Sequence, residues 1–492
     1  MTARALAMAM ACAAALAGCS VPPLSTAPEA ARPAMPAQWS GAGQEPAAAV
    51  QASWWQAFGD PLLTRWVELA QSRNNDVLLA LSRVDEARAN LDVAGAAGLP
   101  QLSATAGAST GRSLGARGLA HTRSVQPGLQ ASWEPDLWGR IAHLEMAAAL
   151  RLQASEADRD AVALAVAATT AQAYVGLRSL QSQLQVAQAT ARSREQALRL
   201  ADEQARVGYT SQLQLTQAQA ELQGVQQAVE QLELSLARQR TALLLLAGGE
   251  GDEQAAALMA TTDGQSAALG APPPAPAAGL PSALLQRRPD IARAQLQLAA
   301  ADESLAVQRT AFLPQVSLTA SAGSLLVNAL QYHPATVWAL GGSVLAPLFT
   351  GGRLQGQFDA VTAQRDQAAY AYRGVVIKAL ADVENALVGT RRLQSQWQHA
   401  SEREAVLQRS LGFAKDRYEA GYASYLEELD AQRNLFQAQQ EVIRLRQSQL
   451  ENAIALYQAL GGGWQAATTP VAAPVAAPVA APVAAPVASP AR

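Results

Sequence analysis

The chain has 492 residues, a formal net charge of -3, 16% charged and 5% aromatic residues. With no cluster of Lys and Arg it offers no phosphate-binding surface, which argues against nucleic acid as a partner. No uninterrupted apolar run of about 20 residues stands out, so any membrane crossing has to use strands rather than a transmembrane helix.

Residues 1–18 begin with one early charge, Arg4, continue through an apolar run over 5–17 and end at Leu16-Ala17-Gly18-Cys19, a secretory signal whose removal leaves Cys19 first. The run is too short to span a bilayer. Leu-Ala-Gly-Cys resembles a bacterial lipobox, which implies lipidation of the Cys19 thiol; at about 0.8 kcal/mol per buried CH₂, several acyl chains make a firm anchor. The alternative is an ordinary signal followed by a chance cysteine. Cys12 lies in the removed segment, so the mature chain holds no disulfide. Residues 19–60 are read as an extended lipidated segment.

Residues 61–250 form a first structural repeat. Leu102, Ala104, Ala106 and Ala108 alternate with small polar residues, and after a loop Val125, Pro127, Leu129, Ala131 and Trp133 alternate again, predicting a β-hairpin. A helix follows over 141–205, with Leu177, Leu180, Leu184, Ala187, Ala191, Arg194, Leu198, Ala201 and Ala205 at the 3-4 spacing of a coiled-coil seam. Unbroken, it is about 100 Å long. After Gly208-Tyr209 a second helix returns along Ala218, Leu222, Val225, Val229, Leu232, Leu236, Gln239, Leu243 and Leu246. Residues 251–281, rich in Ala, Gly, Asp and Pro, are read as a linker.

Residues 282–464 say nearly the same thing again. Gly208, Leu222 and Gly248 recur as Gly421, Leu435 and Gly461 at a constant offset of 213, and Gly139-Arg140 recurs as Gly352-Arg353. Leu313-Pro314 recurs from Leu99-Pro100, followed by strand alternation at Val316, Leu318, Ala320 and Ala322, then Trp338, Leu340, Gly342 and Val344. A seam at Leu393, Trp397, Ala400, Glu404, Leu407, Leu411 and Ala414 leads to Gly421-Tyr422 and a return through Ala431, Leu435, Ala438, Val442, Leu445, Gln449, Asn452, Leu456 and Ala459. A repeat this long is a tandem structural unit, not a short solenoid array. The tail, 465–492, repeats Pro-Val-Ala-Ala and favours extended polyproline-like conformers without a core.

Strands of about 9 to 11 residues suit a transmembrane β-barrel, but four per chain cannot close one. Because lipid tolerates no open sheet edge, several chains contribute, eight strands from a dimer or twelve from a trimer being the smallest options. Chemistry has little to stand on: His121, His143, His333 and His399 are isolated, no metal-ligand spacing appears, and neither a phosphate loop nor a nucleophile elbow is present. No enzymatic activity, cofactor or metal is expected.

Trp54-Trp55-Gln56-Ala57-Phe58-Gly59-Asp60-Pro61, Arg287-Arg288-Pro289-Asp290-Ile291, Pro347-Leu348-Phe349-Thr350-Gly351-Gly352-Arg353 and Leu429-Asp430-Ala431-Gln432-Arg433 resemble the TolC family of outer-membrane factors over about residues 50–464. With the lipobox, the resemblance is to the OprM/NodT-type lipoproteins. It implies a mainly α fold with a membrane β-barrel: a homotrimer with a twelve-stranded outer-membrane barrel and a long α-helical periplasmic tunnel. It implies outer-membrane localisation and duty as exit duct of a tripartite efflux system, with a periplasmic adaptor, an inner-membrane pump of the resistance-nodulation-division type and outer-membrane lipid as partners. A type I secretion port shares the fold, and a lipid-anchored coiled-coil scaffold is the reading without a pore. By the same resemblance Leu426, Asp430 and Arg433, with Glu427 as acidic neighbour, close the periplasmic end. Charge sits on one hairpin only, since the equivalent positions in the first half are Leu213, Gln214, Gln217 and Ala220. Without the resemblance, Asp430 and Arg433 are a routine exposed pair three apart on a helix. Gly208, Tyr209, Gly421 and Tyr422 look like helix tips that accept an adaptor hairpin; the glycines are equally explained by the φ > 0 that a sharp reversal needs.

Overall fold

The computed structural model describes residues 21–23, 26–40, 50–115, 118–249, 251–266 and 268–465; Cys19 with the leader before it, and the Pro-Val-Ala-Ala tail from residue 466, lie outside them. The first repeat runs α1 (Pro61–Arg73), α2 (Asn75–Ala96), β1 (Gln101–Gly115), β2 (Gly118–Trp133), α3 (Arg140–Arg206) and α4 (Gln212–Leu246). After α5 (Glu253–Asp263) the second runs α6 (Pro289–Thr310), β3 (Gln315–Val327), β4 (Ala335–Leu345), α7 (Arg353–Glu419) and α8 (Tyr425–Ala459).

The duplication is expressed element by element. α3 and α7 both have 67 residues, and α4 and α8 both have 35. Each long helix starts at a glycine in the left-handed region, Gly139 at φ 75° and Gly352 at φ 84°, followed by an arginine. At 1.5 Å per residue the long helices extend about 100 Å. Their seams fall where expected: Leu177, Ala187, Arg194 and Ala201 are buried on α3, and Leu393, Trp397, Ala400, Glu404, Leu407, Leu411 and Ala414 are the shielded positions among exposed neighbours on α7.

A polar residue in each returning helix locks the register of its hairpin. Gln239 Nε2 donates to the Ala173 carbonyl at 2.8 Å, and Asn452 Nδ2 donates to the Ala386 carbonyl at 3.0 Å. The room for these side chains comes from Gly176 and Gly389, where an added Cβ would meet Gln239 Nε2 at 3.1 Å and Asn452 Oδ1 at 2.1 Å. Both sets of residues obey the 213 offset. A slip of the hairpin by one turn would strand a half-buried amide against apolar neighbours, which is how one polar group in a seam fixes alignment.

The four strands form one antiparallel sheet in the order β1-β2-β3-β4. Register pairs Ala104 with Leu129, Ala131 with Ala320 and Ala322 with Trp338, so every apolar position of the sequence alternation lies on one face. The opposite face carries Ser103, Thr105, Ser109, Ser124, Gln130, Ser317, Thr319 and Ser343, cross-linked by Ser109 to Ser124 at 2.8 Å and Ser317 to Ser343 at 2.7 Å. The strands are longer than the alternation indicates, because their far ends carry Arg112, His121 and Arg123 where apolar residues would continue the pattern. Among the described residues β1 and β4 are left with unpaired edges.

The largest apolar core sits where the helices of the first repeat meet the N-terminal segment: Trp54, Leu63, Trp66, Tyr174, Leu177, Leu243 and Ile454 are buried together, with Trp54 stacked on Tyr457 at 5.6 Å. The segment read as a linker is more than that. α5 caps itself with Asp252, buries Ala255, Met259 and Thr262, and receives a 3.0 Å hydrogen bond from Trp66 Nε1 to Thr262 Oγ1. Within α3, an 18-residue window reaches a mean hydropathy of 1.3, apolar enough to cross a membrane, contrary to the sequence reading. Half of that window is buried inside the protein, and α3 contributes Ala167, Ala171, Tyr174 and Leu177 to the largest core, which marks it as a core helix.

Candidate functional site

Three parts of the molecule bear on function: the segment leading from Cys19, the apolar sheet face and the paired hairpin tips. Cys19 is outside the described residues, but the chain just after it is held. Arg309 Nε, at the end of α6 and shortly before β3, donates to the Pro22 carbonyl at 3.0 Å. Farther on, Trp39 Nε1 donates to the Gly279 carbonyl at 2.9 Å, and the Ser40 amide donates to Glu384 at 3.2 Å. The segment therefore begins at the helix-proximal rim of the sheet, with three residues left to reach Cys19.

The tips are built by helix termination. At the end of α3 the Gly208 amide donates to the Ala205 carbonyl and the Tyr209 amide to the Gln204 carbonyl; at the end of α7 Gly421 and Tyr422 donate to Tyr418 and Arg417 in the same way. This pair of bonds is the Schellman arrangement, which needs a left-handed residue after the helix. Gly208 at φ 79° and Gly421 at φ 76° supply it. The reversal throws Tyr209, 87% exposed, and Tyr422, 82% exposed, to the extremity beside exposed Val207, Leu213 and Leu426.

Behind them the two hairpins pack on each other. Ala201 and Ala218 of the first join Tyr425 and Leu429 of the second in one buried cluster, and Gln214 Nε2 donates to the Tyr418 hydroxyl at 2.9 Å. Burial raises the Tyr425 hydroxyl above its ordinary pKa, and burial likewise raises the Glu428 carboxyl.

An ionic knot completes the junction. Glu221 accepts from Arg194 Nη1 at 2.5 Å through one carboxylate oxygen and from Arg433 Nε at 2.7 Å through the other. Arg194 is 2% exposed and Glu221 14%. Burial pushes the Glu221 carboxyl up, but the hydrogen bond from Arg433 and the charges of Arg194 and Arg433 outweigh it and leave the group below its ordinary range. The hydrogen bond to Glu221 is the main cause that raises Arg433.

The sequence-predicted residues are thus brought together with different partners than expected. Asp430 lies 3.5 Å from Arg433, but the principal partner of Arg433 is Glu221 of the first repeat. Glu427 pairs with Arg417 across its own hairpin at 3.1 Å, and Leu426 is exposed. Glu221 escaped notice because it sits one residue outside the apolar seam; the signal for Arg194 was present, as the one polar interruption of that seam. His143, read as isolated, contacts Glu303 at 2.6 Å between α3 and α6. Among the described residues no group of three His, Cys, Asp or Glu is gathered to hold a metal ion.

The family model described as "Outer membrane efflux protein" matches residues 66–249 and 280–462. The chain is 34% identical over 446 residues to the pyoverdine export outer membrane protein OpmQ of Pseudomonas aeruginosa, covering 88% of this chain and 92% of that protein. It is 31% identical to the probable outer membrane lipoprotein SilC of Salmonella typhimurium, covering 91% and 96%. Among solved structures, the Campylobacter jejuni CmeC outer membrane channel is similar with a TM-score of 0.82 at 25% identity, covering 91% of this chain and 96% of that one.

Proposed function

Because the chain belongs to the outer membrane efflux protein family, we propose that it is the outer-membrane exit duct of a tripartite system, receiving small molecules from an inner-membrane pump of the resistance-nodulation-division type through a periplasmic adaptor. Three copies pool four strands each into a twelve-stranded outer-membrane barrel, and their helical hairpins continue it inward as a tunnel. The observation that carries this reading is the sheet: one face gathers every apolar position of the alternation, the other carries hydroxyls and amides along much of its length, both edges are unpaired among the described residues, and the sheet grows directly from hairpins about 100 Å long. A scaffold without a pore would leave that apolar face and both edges in water, against what open edges tolerate.

The hairpin tips are the periplasmic gate in this reading. Closure is supported by the Arg194, Glu221 and Arg433 knot within each protomer, with Leu426, Glu427 and Asp430 beside it. The exposed Tyr209 and Tyr422, carried on Gly208 and Gly421, offer the apolar grip for the adaptor. Cys19 adds a lipid anchor at the rim of the barrel. The choice of cargo belongs to the pump: OpmQ is named for pyoverdine export, and a hydroxyl-lined barrel is suited to many solutes.

Purified protein from outer-membrane fractions should run as a heat-resistant trimer, add stepwise conductance to planar bilayers and co-purify with an adaptor and pump. Soluble elongated dimers without pore activity would refute the duct, and recovery with a protein-secreting transporter would move it to type I secretion.

A further inference from the structure

The barrel strands carry an unbalanced charge. No Asp or Glu occurs from Val93 to Trp133 or from Ser304 to Phe358, while Arg112, Arg117, His121 and Arg123 all fall in the first hairpin. Arg117 lies outside the described residues; the other three are exposed. β1 and β2 keep one register throughout, which places Arg112 opposite His121, with Arg123 opposite Thr110 one step along the same face. That face is the apolar one of Leu102, Ala104 and Leu129, so these cations lie on the lipid side of the wall and not in its lumen.

Their height is set by geometry. From Leu102 to Arg112 is ten residues of unbroken strand, about 26 Å of vertical rise at about 3.4 Å per residue and a tilt of about 40°. That matches the lipid-facing apolar band of about 25 Å, so Arg112 and His121 emerge where outer-leaflet headgroups begin, and Arg123, level with Thr110, starts about 5 Å below them, within reach of the same layer for a long side chain. Arg112 and Arg123 are diagonal neighbours on adjacent strands, about 7 to 8 Å apart in the backbone, a like-charge arrangement that is unfavourable by itself. Neither hairpin holds a carboxylate that could pair with them.

We propose that Arg112, His121 and Arg123 form a binding site on the outside of the barrel for phosphate-bearing headgroups of outer-leaflet lipid. The anion neutralises the paired guanidinium groups through charge-assisted hydrogen bonds, and the apolar residues below hold the acyl chains. The proposal rests on the outer-membrane barrel reading but not on the gate or the cargo.

The test uses the full-length trimer in phosphatidylcholine vesicles containing either bisphosphorylated or dephosphorylated lipid A, re-extracted and weighed by native mass spectrometry. The wild type should retain the phosphorylated lipid preferentially, and Arg112→Gln with Arg123→Gln should weaken that retention about thirtyfold, as expected for two surface cations. Equal retention of the two lipids by the wild type would overturn the proposal, and that comparison stands even where the variant fails to assemble. Retention unchanged in an assembled variant would also overturn it. So would displacement of the lipid by millimolar inorganic phosphate, the mark of a general anion site, or a change confined to the ion selectivity of conductance. Loss of conductance and trimer together in the wild type would instead count against the barrel.

Discussion

Arg433 of the second repeat donates its Nε to Glu221 of the first at 2.7 Å, joining two hairpins across 212 residues of chain. Glu221 is held at its other oxygen by Arg194, so a single carboxylate is shared by two guanidinium groups and by both halves of the duplication.

Removing that carboxylate should open the duct more than removing its neighbours. Glu221→Gln leaves Arg194 buried without its counter-charge, a loss of up to about 3 to 5 kcal/mol. Asp430 and Arg433 are 59% and 48% exposed, and such a pair contributes about 0 to 1 kcal/mol. Single-channel conductance of the purified trimer should therefore rise most for Glu221→Gln and least for Asp430→Ala, with the Asp430→Ala and Arg433→Ala double variant between them. An unchanged conductance in all three would remove the gate from this position.

The same knot has an acid limit. The Glu221 carboxyl is depressed below its ordinary value of 4.5, so its contribution is fully present above that pH and is lost as pH falls through the depressed value. Conductance should stay low above that ordinary value and rise only as pH falls below it, and Glu221→Gln should abolish this acid limb. A wild-type rise centred near neutral pH would point to other groups.

Glycines of different kinds should fail differently. An added Cβ at Gly208 or Gly421 meets nothing within 4 Å, so alanine there costs only the left-handed backbone, about 1 to 2 kcal/mol. Trimers should form, with adaptor binding reduced. At Gly461 an added Cβ would lie 1.8 Å from the Arg287 carbonyl, and Gly461→Ala should abolish heat-resistant trimers on gels.

The two faces of the sheet should respond oppositely to charge. Leu340→Arg places a cation in lipid at about 2 to 4 kcal/mol and should deplete the protein from outer-membrane fractions. Ser343→Arg, on the polar face, should assemble normally and shift the reversal potential toward anion passage.

Much of this architecture is legible in the chain because it repeats. The seam from Leu177 to Ala205 and the Leu102 to Ala108 alternation are weak signals singly, and their recurrence at a fixed spacing is what identifies hairpins and strands. The alternation gives out early because Arg112, His121 and Arg123 sit at the upper limit of the apolar band, where the pattern no longer has to obey lipid. α5 was hidden by the Pro and Gly around it. Glu221 is invisible to periodicity because its role depends on which helix lies alongside, and no spacing within one hairpin encodes the approach of Arg433 from the other.

The matched lengths of α3 with α7 and of α4 with α8 have a consequence for assembly. Three subunits present six fingers of equal reach, so the mouth has nearly hexagonal symmetry while its composition alternates. Clefts between fingers of one subunit and clefts between neighbouring subunits take turns around the ring. Any contact repeated around that mouth would find clefts alike in shape and alternating in charge.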